Sequence, residues 1–300
     1  MLTTDLLEIT DLSPLGLLKV SGPDAKRFLQ GQFTCNLDEI SVTHSTLGAH
    51  CNPQGRIISL FRIFLYHDDY YLQMPKELIP TACTALKKYA IFFKVLLSDA
   101  TDTVFQLGWN GRGWKRSLIL PHQINEQMTH EDVTMIKLSE SRYLMLARTP
   151  DALPSSMFTT KHFHSFQSWK KQDLAEGIAS IYPESSEKFL PHDINLPHLN
   201  GVSFNKGCYT GQEIIARMQY RGKLKYQLVR AHVNTTLKLA RGGDLYVENK
   251  PCGTIVDYAL LTKNSYDLLI ITQDIHLKAN HVFIDLTKTV ALEFDPLRVY

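Results

Sequence analysis

Apolar positions fall mostly in short runs, and a helical period appears in only a few places. Leu15 to Val20 is an apolar run that predicts a strand. Ser21-Gly22-Pro23-Asp24 behind it has the turn, the early proline and the first-turn acid of a helix start, and Ala25, Phe28 and Leu29 give that helix one apolar face before it stops near Gly31. Leu47 to Cys51 and Ile57 to Tyr66 are β-branched runs on either side of Asn52-Pro53-Gln54-Gly55-Arg56, and Tyr70 to Met74 follows, so the three predict an antiparallel meander. From Pro75 the period changes: Leu78, Ile79, Ala82, Leu86, Tyr89 and Ala90 lie on one helical face.

Beyond Val95 short strands return, at Thr103 to Gly108, Ser117 to Leu120, Thr134 to Lys137 and Tyr143 to Ala147. Asn110-Gly111-Arg112-Gly113 lacks the strand and helix flanks of a phosphate cradle. The proline-containing stretch from Pro150 to Thr160 reads as a connector ahead of a helix over Ser165 to Ala175. Past Leu224 the pattern is all β: Tyr226 to Val233, Asp244 to Val247, Gly253 to Leu261, Tyr266 to Thr272, Val282 to Asp285 and Val290 to Phe294. Short strands at that spacing predict a small barrel or sandwich. The main boundary is therefore expected near Gly222 and Lys223, between a mixed α+β region, 1–222, and an antiparallel all-β region, 223–300, that is a small barrel or sandwich.

Asn205 to Gly222 interrupts both patterns. Lys206, Gly207, Cys208, Tyr209, Thr210, Gly211, Gln212 and Glu213 place a cysteine just ahead of a predicted helix, and Thr210 with Glu213 has the spacing of a capping box. The unpaired N–H groups of a helix start favour a thiolate, and Lys206 adds positive charge nearby. The same cysteine also reads as a small apolar plug in a glycine turn.

Composition narrows the setting. The 300 residues carry 44% hydrophobic and 21% charged residues, an ordinary globular mixture long enough for more than one core. Cys35, Cys51, Cys83, Cys208 and Cys252 are odd in number and widely spaced, which fits reduced thiols in a cytoplasmic protein rather than a disulfide framework or a metal site. The acids at Asp5, Glu8 and Asp11 do not suit a signal peptide, and no apolar run reaches membrane-spanning length, so the expectation is a soluble chain. The net charge of +2 is uneven: Arg217, Arg221, Lys223, Lys225, Arg230, Lys238 and Arg241 fall in a stretch free of Asp and Glu, suited to carboxylates, phosphates or RNA. Acids elsewhere, such as Glu176, Glu184 and Glu187, are the competing partners for these cations. His162 and His164 lack further metal ligands, His50 and Cys51 read as structural, and Trp169 offers either core packing or a flat partner for a heteroaromatic ring.

The stretch from Lys206 to Glu213 resembles the signature of the YgfZ-type folate-binding proteins, relatives of the glycine-cleavage T-protein, an aminomethyltransferase. Phe28-Leu29-Gln30-Gly31-Gln32-Phe33-Thr34, Ala49-His50-Cys51, Lys88-Tyr89-Ala90 and Leu190-Pro191-His192-Asp193-Ile194-Asn195-Leu196 support it in the right order. The resemblance implies an α+β cloverleaf of two mixed subdomains plus the C-terminal barrel around a central cavity for tetrahydrofolate or a one-carbon derivative. It implies a part in assembling or repairing iron–sulfur enzymes, including those that methylthiolate tRNA, and gives no reason to expect more than a monomer. By motif position Trp169 matches a folate-contacting tryptophan, and Leu15 stands where some members carry a second one. Ala175 occupies the place of a family carboxylate, leaving Glu176, one residue later, as the candidate pterin anchor. Arg217 and Arg221 can offer bidentate donors to the carboxylates of a folate tail. In the T-protein an Asp pair follows the glycine of the first hairpin turn; counting from Gly55, Ser59 and Leu60 stand in its place, and neither is a carboxylate general acid or base. The leading expectation is thus a folate-binding accessory protein with Cys208 as its functional thiol. The alternatives are a folate-dependent aminomethyl or one-carbon transferase and a simple RNA-binding module.

Overall fold

The structure, a computed structural model, describes residues 8–111, 120–153, 163–222, 225–273, 282–287 and 289–295. Most of the strand expected at Ser117 to Leu120, Arg112 and Gly113 of the glycine loop, the connector from Pro154 to Thr160, His162 and Lys223 lie outside these residues. In chain order the strands are β1 (Glu8–Asp11), β2 (Leu15–Ser21), β3 (Thr46–Cys51), β4 (Ile57–Tyr66), β5 (Asp69–Pro75), β6 (Leu96–Asp99), β7 (Phe105–Asn110) and β8 (Gln127–His130). They continue as β9 (Val133–Lys137), β10 (Arg142–Ala147), β11 (Phe163–His164), β12 (Gln227–Asn234), β13 (Asp244–Val247), β14 (Lys250–Thr262), β15 (Ser265–Thr272) and β16 (Glu293–Phe294). The α-helices are α1 (Ala25–Gln30), α2 (Ile79–Ala90), α3 (Phe166–Ala175) and α4 (Gln212–Arg221). The protein is thus a strand-rich α+β chain, and among the described residues no helix is long and apolar enough to cross a membrane.

The chain divides into two compact units, each gathered from separated stretches: Met1–Leu29, Asn36–Thr46 and Phe61–Trp169 form one, and Gln30–Cys35, Leu47–Leu60 and Lys170–Tyr300 the other. In the first unit a six-stranded sheet has the order β11-β1-β7-β10-β9-β8. Successive residues of a strand face opposite sides, so β10 feeds two cores: Tyr143, Met145 and Ala147 pack with Ile9, Leu107 and Trp109, whereas Leu144 and Leu146 pack with Leu12, Leu17, Phe64 and Trp169. Burial on both faces explains why β10 reads as a continuous apolar run. The same unit holds β5 between β4 and β2, with β6 beyond β2. Its helix α2 buries Ile79, Ala82 and Leu86 of the expected apolar face, adds Ala85 to it, and leaves Tyr89 and Ala90 half-buried.

In the second unit, β12 to β16 form an antiparallel sheet in the order β13-β14-β15-β12-β16. Alternate residues Val229, Ala231 and Val233 of β12 meet Leu268 and Ile270 of β15 and Leu245 of β13 in one core. The expected barrel appears as a curled sheet: Val282 to Asp285 contributes two isolated bridges, Phe283 to Tyr246 and Phe283 to Ala291, instead of a strand. A buried charge cluster anchors this sheet to the chain after Trp169. The Lys170 ammonium lies 2.5 Å from Asp257 Oδ2, and Arg241 Nε donates to Asp257 Oδ1 at 2.9 Å. Tyr182 is stacked under the Arg241 guanidinium at 3.6 Å. Burial pulls the Lys170 ammonium down, but the Asp257 carboxylate, with Tyr182 and Asp173 beside it, outweighs that pull and holds Lys170 above its ordinary range. An acid inside the apolar strand Ile255 to Ala259 was the only trace of this cluster in the sequence.

Candidate functional site

The loop from Asn205 to Gly211 is built on the segment Gln30–Cys35 and on the turn between β3 and β4. The turn closes through Asn52 N–H to the Arg56 carbonyl at 2.8 Å and Gly55 N–H to the Asn52 carbonyl at 2.9 Å, with Gly55 at φ +74°. Gly211 sits directly against it. A Cβ on Gly211 would stand 2.6 Å from the Asn52 carbonyl oxygen and 3.0 Å from Gly55 Cα, and the residue adopts φ +82°, so the two glycines let two backbones touch. Gly207 has nothing within 4 Å of its would-be Cβ.

The expected capping box does not form. Gly211, in left-handed geometry, holds the cap position of α4 with no side-chain cap bond. Thr210 instead donates its N–H to the Gly31 carbonyl at 3.2 Å and its hydroxyl to Gln32 Oε1 at 3.3 Å. A capping Ser or Thr must sit at the cap position itself, and the tertiary contact with Gln32 claims Thr210 one residue earlier.

Lys206 ties the loop down. Its half-buried ammonium donates to the Phe33 and Cys35 carbonyls, both at 2.8 Å, and lies 5.1 Å from the centre of the Tyr209 ring. Tyr209 is buried, and its hydroxyl has no hydrogen-bond partner among the described residues. Burial, with the nearby Cys51 and Cys35 thiols, pushes the Tyr209 phenol up, so it stays neutral. Cys51 is fully buried, and burial pushes its thiol far up as well. Of the five cysteines only Cys208 is exposed; Cys35, Cys51 and Cys252 are buried and Cys83 is half-buried. Thiol chemistry requires access, and in this chain the motif cysteine has it.

On α4, Ile215 is buried and Ile214 packs over Gly55, while Gln212 is half-buried and Glu213, Arg217 and Arg221 are exposed. The cation-rich stretch divides. Arg230 pairs with Asp267 at 2.8 Å, and Arg241 pairs with Asp257 and, at 3.5 Å, with Glu184, whereas Arg217, Arg221, Lys225 and Lys238 have no ion pair among the described residues. Glu187 goes to Asn52 Nδ2, at 2.7 Å, rather than to a cation. The helix is held from below by His192, whose Nε2 lies 3.2 Å from Gln219 Oε1; burial holds this imidazole below its ordinary range.

In the first unit, Trp169 is 3% exposed. The Arg142 guanidinium lies over its ring at 4.1 Å, and a Cβ on Gly108 would stand 2.5 Å from the indole. Sequence reasoning missed Arg142; the glycine in β7 was the local sign of a close approach. Leu15 packs on the cluster that contains Trp169 and lines a cavity of about 300 Å³ together with Asp11, Gln106 and Arg148. The structure therefore brings Leu15 and Trp169 into one cluster of the first unit. Cys208, Glu176, Arg217 and Arg221 belong to the second. Glu176 is half-buried just past the end of α3, its N–H donating to the Gln172 carbonyl at 3.0 Å. Ser59 and Leu60 are both buried in β4.

The fold has a solved counterpart. The aminomethyltransferase T of the glycine cleavage system from Bartonella henselae matches 97% of this chain and 86% of its own, with a TM-score of 0.72 at 14% identity. The chain thus has the fold of the glycine-cleavage T-proteins. In sequence it is 34% identical over 228 residues to the tRNA-modifying protein YgfZ of Vibrio vulnificus (strain CMCP6), covering 75% of this chain and 69% of that one. It is 32% identical over 249 residues to the protein of the same name from Yersinia pseudotuberculosis serotype O:1b (strain IP 31758), covering 80% and 75%. This chain belongs to the YgfZ family. No protein-family profile matches it.

Proposed function

We propose that this protein is a tetrahydrofolate-binding accessory factor that supports the assembly or repair of iron–sulfur enzymes, among them enzymes that methylthiolate tRNA, with Cys208 as its functional thiol. The observation that carries the reading is the exposure of Cys208 on a loop fixed by Lys206, Thr210 and Gly211, while three of the other four thiols are buried and the fourth half-buried. The tRNA-modifying name of the relatives supports the context.

The residues present fit a folate in part. In the first unit Leu15 offers an apolar wall to a pterin ring, Gln106 and Asp11 line the same cavity with amide and carboxylate groups, and Trp169 backs Leu15 within its cluster. In the second, Arg217 and Arg221 present open guanidinium donors of the kind that hold carboxylates, and Glu176 is the acid assigned to the pterin. Bound tetrahydrofolate would supply a carrier of one-carbon units. With the buried Ser59 and Leu60 in place of a carboxylate pair, the chain has no general acid or base there for aminomethyl transfer, which ranks the transferase reading second.

Two measurements test the proposal. Calorimetric titration of the purified protein with tetrahydrofolate is expected to show binding that weakens in Leu15→Asp and Arg221→Glu; no heat of binding to the unaltered protein would remove the folate. In a deletion strain, Cys208→Ala is expected to leave tRNA methylthiolation deficient, and full rescue would remove the thiol.

A further inference from the structure

The second unit contains a cavity of about 530 Å³ that includes none of the residues assigned to folate or to the thiol. Its volume lies within the roughly 300–1,000 Å³ common for small-ligand sites. Three cations from three parts of the chain line it: Arg56 from the β3–β4 turn, Lys188 from the irregular run after α3, and Lys225 from the stretch leading into β12. Tyr226, 36% exposed, lines it beside Lys225. Asp193 and Asp244 complete the polar lining.

Two of the three cations are pre-placed. Arg56 Nη1 donates to the Lys188 carbonyl, and Lys188 Nζ donates to the Gly242 carbonyl at 3.0 Å, which leaves each further donors for a ligand. The Lys225 ammonium and the Asp244 carboxylate have no partner among the described residues. Asp193 accepts the Leu190 N–H at 2.8 Å, so it is already occupied.

A ligand that suits this lining carries one strong anion, a flat ring and a hydroxyl donor. Three cations facing one open acceptor suit a single phosphodiester better than several carboxylates, and Lys and Arg bind phosphate through point charge and fork geometry respectively. An exposed tyrosine ring provides a stacking platform that accepts any base. A lone carboxylate accepts from a ribose hydroxyl, a group that RNA offers and DNA lacks.

We propose that this cavity binds one nucleotide of a single-stranded RNA, with the phosphate held by Arg56, Lys188 and Lys225, the base on Tyr226 and a ribose hydroxyl donating to Asp244. The site stands independently of the folate reading.

Fluorescence anisotropy of a labelled short single-stranded RNA, with adenosine monophosphate as competitor, tests it on the full chain. Lys188→Glu and Lys225→Glu are each expected to weaken binding about tenfold, equally across sequences, and to reduce the slope of log affinity against log salt by about one. Tyr226→Ala is expected to weaken it about fivefold or more, and the monophosphate is expected to displace the RNA. A DNA strand of the same sequence is expected to bind more weakly than the RNA, with the difference shrinking in Asp244→Asn. Lys188→Gln and Lys225→Gln, expected to show smaller losses with unchanged thermal midpoints, separate a lost contact from a lost fold. RNA affinity untouched by both charge reversals overturns the proposal, as does failure of the monophosphate to compete. Equal losses of tetrahydrofolate and RNA affinity in Lys188→Glu and Lys225→Glu would also overturn it, by returning the cavity to the folate site. Absence of tetrahydrofolate binding to the unaltered protein, with the RNA results as expected, leaves this site standing and removes only the folate.

Discussion

A methyl group at Gly211 would meet the Asn52 carbonyl oxygen at 2.6 Å, from a backbone at φ +82°. Both the contact and the conformation exclude a side chain, so Gly211→Ala is expected to destabilise the protein by more than about 2 kcal/mol in urea unfolding. Gly207, equally prominent in the motif, has open space around it. Gly207→Ala is expected to stay within about 0.5 kcal/mol of the unaltered protein, and equal losses at the two positions would show that the contact with the β3–β4 turn is not what Gly211 serves. At this scale the sequence named the important residues but not their tasks. Lys206 read as a charge near a thiol, and it is a strut to two carbonyls; Thr210 read as a helix cap, and it binds Gln32. Side-chain hydrogen bonds across such separations depend on where the chain returns, which no local pattern records.

At the scale of elements, helix α4 is linked to the short 3-10 turn Pro191–Ile194 through His192 and Gln219. Burial lowers the His192 pKa in the folded protein, so the unfolded chain binds the proton more readily. Stability is then constant in this respect above the unfolded value of about 6.5 and falls as pH drops through it. The acid limb of thermal midpoint against pH is expected to be shallower in His192→Gln, a change that keeps a side-chain amide opposite Gln219; an unaltered limb would assign the loss to other groups. Strands were the most legible elements: β4 and β13 match their expected runs residue for residue, because both patterning and turn chemistry mark their ends. Strands β1, β6, β8 and β11 escaped notice. Four residues or fewer carry too little period, and β11 exists because Ile9 and Thr10 of β1 pair with it.

Across the whole molecule, the charges that matter to stability are the buried ones. Lys170 and Asp257 come from distant parts of the chain, and Arg241 shares the same carboxylate. Removing one partner leaves a buried charge unpaired, so Lys170→Met is expected to cost about 3–5 kcal/mol, and Asp257→Asn, which strands two cations, at least as much. Chemical denaturation measures both. Combining Lys170→Met with Asp257→Leu is expected to recover part of the loss, and strictly additive losses would mean that the pair is not coupled. Formal net charge gave no sign of this, since it counts Lys170 and Asp257 as cancelling wherever they lie.

The sequence by itself determined the strand-rich α+β character, the position of the helices and the order of motifs around Cys208, because these follow from local periodicity, turn chemistry and short signatures. The tertiary structure decided that the Cys208 thiol is exposed while Cys51 is sealed, that Thr210 abandons its cap, that Trp169 lies beneath Arg142, and that Arg56, Lys188 and Lys225 share a cavity. Each of these depends on which distant segments meet. Solvent access, buried charge and convergent donors are properties of that meeting, so they enter only when the chain has folded.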